Sequence, residues 1–176
     1  MLEIKGRDGN LGEMMKMSYN FKEQVNEPRQ KQAVELCKNY LLSDGCEVTD
    51  VSEDPKFYKT GADLIMQIPD GEITIDVKCD FQAHSTFNIV VEFIEVASDR
   101  KEQKLGWIYN EVEFIYYVIW ETKELIILDK KILIKICLEK ELRGYASHHN
   151  KPFYYYTFGL LLPLQEARKH FKSINL

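Results

Sequence analysis

The sequence predicts an α/β protein in which helices flank a central mixed β-sheet. Two features favour this class: apolar residues recur at helical spacing towards both ends of the chain, and segments rich in β-branched and aromatic residues fill its middle. At 176 residues the chain can close one sizeable core but is too short for two ordinary domains. We therefore expect a weakly ordered arm over residues 1–20 and a single domain over residues 21–176.

The first helix is predicted from Pro28 to Leu42. Proline suits the first turn of a helix, and Gly45 supplies a stop. The apolar residues at helical spacing are Ala33, Leu36, Cys37, Tyr40 and Leu41. A short strand from Cys46 to Val51 is expected next.

The following two strands are predicted to form a hairpin. They run from Ala62 to Ile68 and from Glu72 to Cys79, and Pro69-Asp70-Gly71 between them is strong turn chemistry. The remaining predicted elements are strands at Asn88–Ile94, Val112–Trp120, Leu125–Leu128 and Phe153–Leu162, and helices at Lys130–Leu142 and Pro163–Phe171. Helices thus bracket a sheet in the middle of the chain.

Composition excludes several functional classes. The chain has no run of about 18 apolar residues, so we expect no membrane span. No apolar segment near Met1 precedes a small-residue cleavage site, and the four cysteines form no CxxC pair, so we expect a cytoplasmic protein with reduced thiols. The net charge of −5 argues against nucleic-acid binding through bulk charge and leaves only a local basic patch for that purpose.

The strand from Glu72 to Cys79 carries the chemically interesting residues. Alternation places Thr74, Asp76 and Lys78 on one face and apolar residues on the other. With the turn centred near Asp70, Asp63 on the partner strand falls opposite a residue close to position 76. The two carboxylates are therefore expected to converge beside the ammonium group of Lys78.

Two converging carboxylates suit a hard divalent cation such as Mg²⁺ or Mn²⁺, which keeps some waters and can bind a phosphate. Lys78 beside them could orient or deprotonate an attacking water, or neutralise charge on a phosphorane. A simple hairpin ion pair between Lys78 and Asp63 or Asp76 explains the same spacing. Spacing alone leaves both interpretations open.

The segments Gly61-Ala62-Asp63-Leu64 and Ile75-Asp76-Val77-Lys78 resemble the motif of PD-(D/E)XK nucleases. The resemblance covers roughly residues 28 to 165 and extends to features of phage-type and restriction-like endonucleases. These further segments are Lys78–Asp80, Asn88–Glu92, Gly106–Ile108 and Phe114–Val118. The resemblance implies a restriction-endonuclease-like α/β/α sandwich and a Mg²⁺- or Mn²⁺-dependent endonuclease that hydrolyses DNA.

By the same resemblance Asp63, Asp76 and Val77 would hold the metal, and Lys78 would be catalytic. Ala62 replaces the proline of the motif, and the literal Pro69-Asp70 lies in the turn, so we place no catalysis at Asp70. The family often adds a glutamate from the first helix, for which Glu35 is the nearest candidate. At 100° per residue, however, it lies nearly opposite the apolar stripe.

Glu92 lies on the next predicted strand and is a further candidate for the catalytic set, either as a metal ligand or as a supporting residue. A basic rim that binds the substrate is expected from Lys56, Lys59, His84, Arg100, Lys101 and Lys104, all in predicted loops around the site. The alternative is a catalytically inactive nuclease-fold module that binds nucleic acid or a protein partner. The expected partner is nucleic acid, with DNA favoured over RNA, and a homodimer is left open.

Overall fold

The computed structural model describes residues 28–97, 103–149 and 155–176. The predicted arm lies outside this described part of the chain. The strands are β1 (Glu47–Asp50), β2 (Leu64–Ile68), β3 (Gly71–Asp80), β4 (Asn88–Ala97), β5 (Gln103–Leu105), β6 (Phe114–Ile119), β7 (Glu124–Asp129), β8 (Arg143–His149), β9 (Tyr155–Pro163) and β10 (Lys172–Asn175). The helices are α1 (Pro28–Ser43), α2 (Ala83–Thr86), α3 (Lys130–Glu139) and α4 (Leu164–His170), with a 3₁₀ turn at Trp107–Tyr109. No helix among the described residues combines the length and the apolar character needed to cross a membrane.

A six-stranded sheet forms the centre of the fold, with the strand order β1-β2-β3-β6-β7-β10. The pairing of β3 with β6 is parallel and the other pairings are antiparallel. The predicted fold class, α/β with a central mixed sheet, is therefore confirmed. The predicted hairpin also forms, and its register pairs Leu64 with Ile75 and Ile68 with Gly71.

Helix α1 covers one face of this sheet. Its buried residues, Ala33, Val34, Cys37 and Leu41, recur at helical spacing and pack against side chains from β2, β3, β6 and β7. Ile75 and Val77 belong to this apolar cluster, and both are completely buried. Because side chains alternate along a strand, Asp76 and Lys78 project from the opposite face of β3.

The opposite face of the central sheet is covered by a second sheet, in the order β5-β4-β9-β8, together with α3 and α4. Ile89, Val91 and Leu162 of the second sheet share one buried cluster with Ile115 and Tyr117 of the first. The sequence predicted strands for β4 and β9 but neither a second sheet nor a strand at β5, β8 or β10. Asp76 and Lys78 therefore lie on the side where the two sheets meet.

Candidate active site

The site begins where β2 ends and β3 continues. Leu64 pairs with Ile75 in the antiparallel register, so Asp63, the residue before Leu64, lies opposite Asp76. This is the pairing that the position of the turn predicted. The backbone N–H of Asp63 donates to the carbonyl oxygen of Ile75 at 2.9 Å. Two carboxyl groups from neighbouring strands are thus brought together by the hairpin itself.

Asp76 is one of the few charged residues buried in the described part of the chain, with 1% of its surface exposed. Its Oδ1 lies 2.9 Å from the Nζ of Lys78, and its Oδ2 accepts a hydrogen bond from the Nδ2 of Asn110 at 2.8 Å. Both carboxylate oxygens therefore have a donor. Since an unpaired polar group would be costly at this depth, these two partners offset part of the cost of burying Asp76.

Asp63 is half-buried, and one of its oxygens, Oδ2, accepts the backbone N–H of Val77 at 2.8 Å. Burial raises the pKa of Asp63 to about 7, and the charge of Asp76 and a hydrogen bond between the two carboxyl groups act in the same direction. The opposing effects of Lys78 and the Val77 N–H are smaller. Near neutral pH the metal-free pair is poised to hold one proton between two carboxyl groups.

Lys78 remains a cation in this setting. Burial alone would lower its pKa, but the negative charges of Asp76 and Asp63 outweigh that effect and raise the pKa above its ordinary value. Its side chain is 32% exposed, so the ammonium group is held beside Asp76 and still reaches towards solvent. A lysine in this state can stabilise negative charge but is a poor proton acceptor.

The edge of β3 beyond the end of β2 is bonded by side chains. Asp63 accepts the backbone N–H of Val77, as described. The side-chain amide of Gln30 in α1 bonds the next two backbone groups of β3, the carbonyl of Val77 and the N–H of Cys79. Its Nε2 donates to the carbonyl oxygen of Val77 at 2.7 Å, and its Oε1 accepts the N–H of Cys79 at 3.1 Å. Val77, predicted as a metal ligand, can offer only this carbonyl oxygen, and that oxygen already accepts from Gln30.

Asn110 was not singled out from the sequence, yet it is held firmly in the site. Its carbonyl oxygen accepts a hydrogen bond from the Nζ of Lys130, while its side-chain amide reaches Asp76. Gly61 makes room for it: a Cβ at position 61 would overlap the side chain of Asn110. The backbone of Gly61 also has φ +74°, a conformation that glycine adopts without strain.

Glu92 on β4 lies near the same cluster. Burial raises its pKa to about 7, the charge of Lys78 opposes this rise, and the charges of Glu95, Asp76 and Asp80 reinforce it. Glu92 is half-buried and interacts electrostatically with Lys78 and Asp76, and its role in the site stays a prediction.

Asp80, two residues beyond Lys78 on β3, has a structural role. Its Oδ1 accepts the N–H groups of Gln82 and Ala83 at 2.6 and 2.9 Å, and its Oδ2 accepts the hydroxyl of Tyr117. These bonds fix the chain where it leaves the strand. Both carboxylate oxygens of Asp80 therefore already accept hydrogen bonds from other groups of the protein.

The structure does not bring Glu35 to the carboxylate pair. Glu35 is exposed, its Oε2 lies 3.5 Å from the Nζ of Lys38, and it borders a surface depression with Trp120 and Lys123. The helix turns by about 140° between Gln30 and Glu35, so α1 presents Gln30 to β3 and Glu35 to solvent. The residue of α1 that contacts β3 beside the site is therefore Gln30 and not Glu35.

The predicted basic rim is only partly described. Lys56, Lys59, His84 and Lys104 are exposed, and Lys104 lies in β5 opposite Glu95 rather than in a loop. Arg100 and Lys101 lie outside the described residues. Lys56 and Lys59 belong to the segment between β1 and β2 that leads into Gly61 and Asp63, so they flank the site along the chain.

The donors available to a cation are few. Within the described residues there is no group of three or more His, Cys, Asp or Glu side chains arranged to hold a metal ion. Asp63 and Asp76 offer two adjacent carboxylates, and carboxylate oxygens are the ligands that Mg²⁺ and Mn²⁺ prefer. Mg²⁺ is usually held by one or two protein carboxylates plus water and phosphate oxygens, so the pair fits such a cation.

Comparisons with known proteins give little to set beside this geometry. No protein-family model matches the chain, and no curated protein sequence matches it. The solved structure of a bacterial homing endonuclease, I-Ssp6803I, aligns with it at a TM-score of 0.48 and 17% sequence identity, covering 66% of this chain and 74% of that one.

Proposed function

We propose that this protein is a metal-dependent nuclease that hydrolyses phosphodiester bonds in DNA. One observation carries the proposal: the hairpin brings the carboxyl groups of Asp63 and Asp76 together beside Lys78, where burial and then the charge of Asp76 raise the pKa of Asp63 to about 7. Such an arrangement is costly for the metal-free fold, and strongly perturbed carboxyl groups are found preferentially at functional sites. A divalent cation that replaces the shared proton would remove the repulsion.

Asp63 and Asp76 would hold the cation, with the carbonyl oxygen of Val77 as a third donor if Gln30 moves away. When bound, Mg²⁺ or Mn²⁺ supplies Lewis acidity at the phosphate and a water of lowered pKa. Hydrogen bonds from Asn110 and from the Val77 N–H orient the two carboxylates before any cation arrives. The chain would thus supply two preorganised carboxylates rather than a complete coordination shell for the cation.

Lys78 is assigned to charge stabilisation. Because its pKa is raised, its ammonium group is protonated throughout the physiological range and donates to oxygen atoms rather than accepting a proton. From its place beside Asp76 it can neutralise charge that develops on the phosphorane. This narrows the sequence-based prediction, which left proton abstraction by Lys78 open.

Glu92 is assigned to proton transfer. A general base works best when its pKa lies near the working pH, and burial raises the pKa of Glu92 to about 7. Glu92 is half-buried and interacts electrostatically with Lys78. It would therefore accept a proton from a water molecule held between the two side chains. Asp80 is less suited to this task because its oxygens are bonded to α2 and to Tyr117.

A second candidate is a non-catalytic module with a nuclease-like fold. It is favoured by the net charge of −5 and by the lack of a third acidic ligand among the described residues. Calorimetric titration with Mn²⁺ separates the two candidates. A nuclease requires binding that depends on Asp63 and Asp76, whereas a module with an ordinary ion pair would show none at millimolar metal.

The decisive experiment measures cleavage of plasmid and oligonucleotide DNA with Mg²⁺ or Mn²⁺. We expect Asp76→Asn to abolish both metal binding and cleavage, and Lys78→Met to lose cleavage by about 10²-fold or more while it still binds Mn²⁺. Asp70→Asn in the exposed turn is the matched control and should behave as the wild type. Full cleavage by Asp76→Asn would refute the proposal.

A further inference from the structure

A cationic aromatic patch lies at the end of the two strands that lead out of the site. It consists of Arg29, Phe81, Trp120 and Lys123, all of them half-buried. Phe81 directly follows β3, and Trp120 directly follows β6. The backbone N–H of Trp120 donates to the backbone carbonyl oxygen of Asp80 at 2.9 Å, which fixes the two strand ends side by side.

Each ring in the patch carries a cation on its face. The guanidinium carbon of Arg29 lies 4.0 Å from the ring centroid of Phe81, and the Nζ of Lys123 lies 2.8 Å from that of Trp120. The two rings meet edge to face at 6.4 Å and 72°. Cations and π-faces alternate here, which is the combination that binds unstacked nucleobases and their phosphates.

The backbone of Lys123 provides an independent observation. It has φ +54°, a left-handed conformation that is costly for a residue with a side chain, in a hairpin turn where glycine or asparagine would be favoured. Its carbonyl oxygen accepts the N–H of Leu176 at 2.8 Å, which helps to hold the turn. Strain of this kind clusters at ligand-binding positions, and here it places the ammonium group over Trp120.

The surroundings of Trp120 are suited to a base rather than to a phosphate alone. A surface depression beside Trp120 and Lys123 is lined by Gln32, Glu35, Leu36 and Asn39. The amide groups of Gln32 and Asn39 can donate to and accept from the edge of a base. Leu36 and the indole ring supply apolar contact.

We propose that the cationic aromatic patch binds an unpaired nucleotide of the substrate, so that the protein acts on single-stranded or locally opened DNA. This inference deepens the proposed function, because it names the form of DNA presented to Asp63 and Asp76. In a duplex each base is already stacked and paired, so Trp120 could not reach its face. Phe81 follows Lys78 by three residues, or about 10 Å of extended strand, and by alternation Phe81 and Trp120 lie on the α1 side of the sheet, opposite to Asp76 and Lys78. A DNA strand bound on the patch would therefore pass round the end of β3 to reach the acidic pair.

The test uses fluorescence anisotropy of a labelled single-stranded oligothymidylate and of a duplex of equal length, both in EDTA so that nothing is cut. Loss of one stacked base weakens binding by about 5- to 150-fold, so we expect Trp120→Ala to show this loss on the single strand and little change on the duplex. Trp120→Phe keeps a ring and should retain binding. Tyr156→Ala, which removes an exposed aromatic residue from the second sheet, is the control.

Wild-type affinity for the single strand in Trp120→Ala would overturn the inference, and so would a failure of the wild-type protein to bind the single strand. An equal loss in Tyr156→Ala would also overturn it, because the effect would then not belong to the patch. If the wild-type protein binds through Trp120 but cuts no DNA with any divalent metal, the proposed function fails and the patch stands.

Discussion

The side-chain amide of Gln30 donates to the carbonyl oxygen of Val77 over 2.7 Å, and the same amide accepts the N–H of Cys79. Gln30 thereby replaces a neighbouring strand at the point where β2 has ended and β3 continues. The contact joins helix α1 to the strand that carries Asp76 and Lys78. The position of the helix and the position of the acidic pair are therefore linked through one side chain.

Replacing Gln30 with alanine should destabilise the protein by about 1–3 kcal/mol, because the substitution leaves the carbonyl of Val77 and the N–H of Cys79 without their partner. Gln32→Ala on the exposed side of the same helix is the control and should change stability by less than about 0.5 kcal/mol. Urea unfolding monitored by circular dichroism measures both. Equal effects of the two substitutions would contradict a bridging role for Gln30.

The stability of the metal-free protein should depend on the charge of Asp63. Its pKa is about 7 in the folded state and about 4 in the unfolded chain, so between these values the folded state holds a proton that the unfolded state has released. This contribution to stability is complete below about pH 4 and is lost as the pH rises to about 7. Asp63→Asn does not titrate, so its stability relative to the wild type should increase across this window and level off above it.

Chemical denaturation at a series of pH values, in EDTA, tests this expectation. The informative quantity is the difference between Asp63→Asn and the wild type, since groups that do not interact with Asp63 titrate equally in both proteins and cancel. A difference for Asp63→Asn that decreases as the pH rises would reverse the sign and contradict the raised pKa.

The contact between Gly61 and Asn110 predicts a difference between two glycine substitutions. Gly45 and Gly61 both have positive φ, but a Cβ at position 45 meets open space, whereas one at position 61 would overlap Asn110. Gly45→Ala should therefore cost only the backbone strain, about 1 kcal/mol, and Gly61→Ala should cost measurably more.

A double-mutant cycle checks the cause of that difference. Asn110→Ala removes the obstructing side chain, so Gly61→Ala should cost less in an Asn110→Ala background than in the wild type. Thermal or urea unfolding supplies the four free energies. If the cost of Gly61→Ala is the same in both backgrounds, the crowding is not the reason for glycine at this position.

Lys56 and Lys59 flank the site along the chain and should contact DNA phosphates. Their joint replacement by glutamine should lower the salt slope of duplex binding by up to about 0.9 for each lost contact. Lys131 and Lys135 on α3 form the matched pair of exposed lysines, and their replacement should leave the slope unchanged. Lys130 is unsuitable as a control, because it holds the backbone of Asn110. An effect confined to the pair on α3 would place the DNA on a different face.

The hairpin was predictable because all its information is local. The turn at Pro69-Asp70-Gly71 sets the register, and the register alone brings Asp63 opposite Asp76. Alternation along β3 then places Asp76 and Lys78 on one face. No contact with a distant part of the chain is needed for either conclusion.

The supporting residues were not predictable in the same way. Asn110 reaches Asp76 only because β6 pairs in parallel with β3, and a parallel pairing leaves no turn signal in the sequence. Gln30 did leave a signal: it is a polar residue one turn before Ala33 and Val34, on the buried side of α1. The second sheet was missed because predicted strands do not reveal which sheet they join.

The parallel pairing of β3 with β6 also sets the order in which the protein matures. Asp76 is paired with Ile115, about 40 residues further along the chain, while its hairpin partner Asp63 lies close by in sequence. During synthesis the hairpin can form early, but β3 lacks its second neighbour and Asp76 lacks Asn110 until that later segment has left the ribosome. An incomplete nascent chain therefore carries the acidic pair without its fixed geometry, and the geometry of the candidate site is complete only once the later part of the domain has been made.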